Sequence, residues 1–104
     1  MSLQAKVLNL LSGVRDPVLR MDVATTIFYL ADIFASGSAK EGDVRRALYE
    51  VCTDVIRATR PDLVDEEVRE EAERMTNELI AAFRTETLRR RISTRFRARG
   101  LPTL

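Results

Sequence analysis

The residues best suited to chemistry lie in the last third of the chain, where charge is sorted by sign. Between Asp62 and Glu78 stand eight acids and two bases, Arg69 and Arg74, whereas between Arg84 and Arg99 stand seven arginines and one acid, Glu86. On a helical wheel Leu88, Ile92 and Phe96 fall within about 80° of one another. Arg95 and Arg99 lie beside them, and Arg89, Arg90, Arg91 and Arg97 occupy the rest of the circumference. A basic amphipathic helix of this kind can lie on phosphates, on an anionic membrane surface, or in an acidic groove of a protein. Guanidinium forks match phosphate oxygens and stack on bases. Arg84, Arg89, Arg90, Arg91, Arg95, Arg97 and Arg99 are therefore candidate partner- or phosphate-binding residues, and Leu88, Ile92 and Phe96 a candidate apolar interface.

Two features turn the expectation toward a protein partner. Formal net charge is only +1, so no field over the whole chain draws in a polyanion. Phe96 is the only aromatic in the cluster, which is thin for a platform that stacks bases. An antiparallel second copy of the same helix would set acidic half against basic half, the self-complementary contact of a two-fold dimer. The sorting also has a local cause, because early acids and late bases suit the helix macrodipole. The sequence thus predicts an interaction module, a homodimer or one bound to a protein partner. Nucleic-acid binding through 84–99 is the alternative, and a folded-back, solvated arginine face is the plainest outcome.

Other chemistry is sparse. The chain has no histidine, which excludes Ser-His-Asp and Cys-His catalysis and imidazole acid–base work near neutral pH. A lone Cys52 allows no internal disulfide. Nothing flanks that thiol to activate it, so it reads as a small buried hydrophobe. Glu66 with Glu70, and Glu67 with Glu71, share helix faces. They look outward, however, and carboxylate di-iron bundles also draw on Glu-x-x-His pairs. No metal and no cofactor is expected. Asp22, Thr25, Thr26, Tyr29 and Asp32 share one strip, and a catalytic version would make an aspartate the base and Tyr29 a donor. The simpler expectation is threonines bonded back to backbone, with an arginine from a neighbouring helix pairing the aspartates. The chain reads as a non-enzyme.

The elements that position these residues are all helical. From Asp16 to Gly37, Leu19, Met21, Val23, Ala24, Ile27, Phe28, Leu30, Ala31 and Phe34 cover roughly two thirds of the wheel, wider than the stripe of about 100° on a surface helix. Asp16 can cap it, Pro17 suits the first helical position and Gly37 the stop. Residues 17–36 are accordingly expected as the central hydrophobic helix. A first helix over 2–14 carries Leu3, Val7, Leu10, Leu11 and Val14 inward, with Ser2 as a cap. A third helix over 39–59 opens on a Ser38/Glu41 capping box, or at Asp43, and stops at Pro61. Val64, Val68, Ala72, Met75, Leu79 and Phe83 form the seam of a fourth, over 63–84, opened by Asp62 or Asp65.

Five residues separate Phe83 from Leu88, which displaces the second seam. The segment 85–99 therefore either protrudes as an arm or bends near 84–87 and folds back, with Thr85 as the cap of a fifth helix. A helix-turn-helix across Gly37 fits poorly, since both flanking helices run near twenty residues. The fold expected is a single all-α domain over 1–104, a bundle of four to five helices. The apolar runs are short and broken by Arg20, Asp22 and Asp32; none suits a membrane span, and a cytoplasmic setting follows. Scarce Asn, Gln and Cys with dense charge fit a thermophile. Arginine in place of lysine fits a GC-rich genome equally well.

Overall fold

Capping residues divide the chain where the sequence places its stops. The computed structural model describes residues 2–98, with side chains to residue 95. It contains α1 (Leu3–Leu11), α2 (Pro17–Ala35), α3 (Glu41–Thr59) and α4 (Asp65–Ala98), and no strand among the described residues. The Ser2 hydroxyl accepts from the Ala5 N–H at 3.1 Å, and Asp16 Oδ1 accepts from the Val18 N–H at 2.9 Å with Pro17 at the first helical position. Helix α1 stops at Leu11 rather than Val14, because Ser12 caps it. Val14 still reaches the core from the turn.

Gly37 closes α2 at φ +74°. Its N–H donates to the Phe34 carbonyl at 3.2 Å and the Ser38 N–H to the Ile33 carbonyl at 2.9 Å, the paired bonds of a Schellman stop. A methyl group at Gly37 would meet nothing within 4 Å, so only its left-handed backbone demands glycine. Gly37→Ala should therefore lower stability by about 1–2 kcal/mol, and Gly37→Asn by less, in chemical denaturation.

The Ser38/Glu41 capping box does not form. Helix α3 begins at Glu41 behind an uncapped Lys40, Ser38 instead bonds the Ser36 hydroxyl at 2.7 Å, and Glu41 pairs with Arg84. Glu41 and Asp43 in the first turn still favour that end of the helix dipole.

Helix α4 is one helix from Asp65 to Ala98, unbroken at 84–87. Thr85 does not cap a fifth helix. Its hydroxyl donates to the Ala81 carbonyl at 3.2 Å, as Thr87 does to Phe83 at 2.8 Å, both bonds within a continuing helix. At about 1.5 Å per residue its 34 residues reach about 51 Å, nearly the whole 53 Å length of the molecule. The radius of gyration is 15.3 Å, against about 13 Å for a compact chain of this size.

The richest helix is not the hub. Helix α2 touches all three others, as its wide apolar arc predicts, but it buries only Val23, Ile27, Leu30 and Ala31. Met21, expected inward, is 68% exposed, and Phe28 lies at the surface as well. The most extensive pairing is α3 with α4, and α4 also packs on α1 and α2. Glu41 meets Arg84, Arg45 meets Asn77 and Arg57 meets Asp65, so α3 and α4 run antiparallel. Val44, Leu48, Cys52, Val55 and Ile56 of α3 face Val68, Ala72, Leu79, Ile80 and Phe83 of α4 across the core. Val64, placed on that seam by its spacing, is exposed because it precedes the helix.

Candidate interaction surface on the last helix

Inside the bundle the polar groups serve packing. Burial pushes the Cys52 thiol up to about 11, slightly offset by the neighbouring Thr76 hydroxyl, so near neutral pH the nucleophilic thiolate is absent. Thr76 Oγ1 is itself buried and makes no hydrogen bond of ordinary geometry among the described residues. Leaving a buried hydroxyl unpaired costs about 1–3 kcal/mol. Thr76→Val, of the same shape, should hold or raise stability by about 1 kcal/mol, read as a higher denaturation midpoint. The strip on α2 is exposed, and its Asp32 accepts from Arg90 Nη1 at 2.9 Å. Among the described residues no three His, Cys, Asp or Glu side chains converge as a metal site would require. No described helix is long and apolar enough to cross a membrane.

The arginines of α4 divide into two groups. Arg84 pairs with Glu41 across to α3, Arg90 with Asp32 of α2 and with Glu86 at 3.5 Å, and Arg89 with Glu86 at 3.9 Å. Arg91 and Arg95 have no ion pair among the described residues. Both line a groove with Thr87, Arg90 and Thr94 against Asp32, Ala35 and Ser36 at the C-terminal end of α2. The carbonyls at that end carry partial negative charge that favours nearby cations. Part of the arginine cluster therefore serves the fold, which the linear pattern conceals. The pairs are solvated, each partner a quarter or more exposed, and each contributes about 0–1 kcal/mol.

Leu88 and Ile92 are placed as an interface requires. At about 100° per residue they lie roughly 140° and 180° round the helix from Phe83, whose side chain is buried. They therefore point away from the molecule's own core. Leu88 is 59% exposed and Ile92 42%. Beyond Thr87 no described side chain is buried, so this stretch is an arm. The side chains of Phe96 and Arg97, and Arg99 altogether, lie outside the described residues.

The acidic half of α4 is partly neutralised within itself. Arg74 sits between Glu71 and Glu78, and its hydrogen bond to Glu71 holds that carboxyl below the usual carboxylate range. Sequence reasoning missed Glu41 as the partner of Arg84, and the exposure of Val18 and Met21. The one legible signal was Val18, an apolar residue inside the polar strip of its wheel. Fold and surface together define an all-α protein with four described helices, the last carrying an amphipathic basic arm. Comparison with known protein families, with curated proteins and with solved structures finds no match.

Proposed function

We propose that this chain is a non-catalytic cytoplasmic interaction module that self-associates, or takes a protein partner, through its charge-segregated last helix. The observation that carries this reading is the exposure of Leu88 and Ile92 on the side of α4 turned away from its own core. Burying two such side chains is worth roughly 1.5–3 kcal/mol each. Association itself costs about 4–15 kcal/mol in lost freedom, so the partner must add apolar surface of its own. A two-fold dimer does so by using every contact twice. Sedimentation of the full chain across a wide concentration range tests the proposal. A concentration-dependent dimer, or a stable complex with a protein partner that Leu88→Asp disrupts, is the expected result. A monomer at high concentration that binds no partner through this helix refutes it.

A second reading has its own observation: Arg91 and Arg95 are not held by carboxylates among the described residues. Nucleic-acid binding through the arm, with Arg97 and Arg99 adding to it, would weaken steeply with salt. It would also fall with Arg91→Ala and Arg95→Ala. Binding that ignores salt, or no binding, removes this reading.

A further inference from the structure

The outer face of α2 has the complementary character to the arm. Along it Val18, Met21, Thr25, Phe28 and Asp32 recur at intervals of three and four residues, with Tyr29 alongside, the spacing of a coiled-coil seam. All are exposed, Val18 and Met21 both 68%. The charges of this strip are acidic: Asp32 is held by Arg90 of its own chain, Asp22 has no ion pair among the described residues, and Arg20, the only base of α2, lies on the other side of the helix. The arm offers Leu88 and Ile92 one turn apart, bordered by the bases Arg91 and Arg95. It cannot turn back onto its own strip. Helix α4 is unbroken, and among the described residues the arm lies against α2 at that helix's C-terminal end, where Arg90 pairs with Asp32 and Arg91 and Arg95 line the groove beside Ala35 and Ser36.

We propose that the arm of one copy seats on the outer face of α2 of a second copy, reciprocally, so that each chain gives one arm and receives one. This rests on the reading that the last helix mediates self-association, and it names the surface that takes the arm. The acidic half of the partner's α4 is the poorer seat. Its outward line of Glu67, Glu70, Arg74 and Asn77 is polar throughout, so it would strip water from charges while burying no apolar surface. The α2 strip matches both the apolar residues and the sign of the charge. Reciprocal exchange is an isologous contact and closes at the dimer.

The test uses two full-length variants, Met21→Arg and Leu88→Asp, both at exposed positions, so that circular dichroism should show native helicity in each. Each alone should dimerise at least tenfold more weakly in sedimentation. Mixing them should restore association, since the mixed dimer keeps one contact between an unaltered arm and an unaltered α2 and sets Arg against Asp in the other. Raised salt should weaken the wild-type dimer. If Leu88→Asp is monomeric while Met21→Arg still dimerises, the arm binds elsewhere; this inference falls and the arm reading stands. Two monomeric variants that do not recover on mixing also overturn the arm-on-α2 contact. Dimer loss with Met21→Arg alone, or a wild-type chain that is always monomeric, overturns the contact and self-association through the arm together.

Discussion

On the proposed self-association through the arm, ending the chain after Thr87 is expected to abolish dimerisation while leaving the bundle folded. Thr87 is the last buried residue described, and its hydroxyl is satisfied by the Phe83 carbonyl within the helix. Beyond it the described ties to the rest of the molecule are solvated ones, chiefly Arg90 with Asp32, worth about 0–1 kcal/mol. Truncation tolerance follows from burial and hydrogen bonding, and here little of either is lost. Association should weaken at least about a hundredfold, since residues that dominate a small interface cost 2 kcal/mol or more each when removed. The melting temperature measured at low protein concentration should move by no more than about 4–8 °C, the shift that 1 kcal/mol produces in a domain of this size. A collapse of the fold would mean that the arm belongs to its own core. Persistence of the dimer would place the interface elsewhere.

The opposite result is expected from Phe83→Ala, four residues before that cut. Phe83 is among the largest fully buried side chains, and its ring lies 5.8 Å from that of Phe34 with planes tilted by 54°. It stands where the end of α2 reaches α4, next to the Arg84–Glu41 pair that joins the start of α3. Removing a buried phenylalanine ring costs about 3–5 kcal/mol, from lost transfer energy and from the cavity left behind. Whole domains hold only about 5–15 kcal/mol. Thermal unfolding should therefore shift down by at least about 12 °C at 4–8 °C per kcal/mol, and the variant should lose near-native helicity first on heating. Leu88→Ala, five residues on, should leave unfolding of the monomer nearly unchanged. Equal effects from the two substitutions would contradict the burial on which both expectations rest.

Much of the helical organisation was legible because its signals are local. Asp16, Pro17, Gly37 and Pro61 act on the backbone within a few residues of themselves, and each boundary they mark is observed. The seam of α1 was legible for a related reason, since a 3.6-residue repeat faces whatever the helix packs on. The capping box at Ser38 was misread because Glu41 had a better partner, Arg84, that lies 43 residues away in sequence. That an arginine of a neighbouring helix would pair an α2 aspartate was legible, but not which one: Asp32 and Arg90 are 58 residues apart, and no spacing rule reaches that far.

Capping, periodicity and composition are properties of neighbouring residues, and they suffice for an all-α protein, for where three of its helices begin or end, and for the sorting of acids and bases along the last one. Tertiary structure alone decided which helix gathers the others. A wheel measures how apolar a helix is around its own axis, whereas burial depends on how many neighbours lie alongside it. Both helices meet all three others, but α4 packs along α3 far more extensively than α2 packs on any neighbour, and so outweighs the greasier α2. The same packing leaves Val18 and Met21 outside and turns Leu88 and Ile92 away from the core, so two apolar faces of opposite charged surroundings remain on the surface.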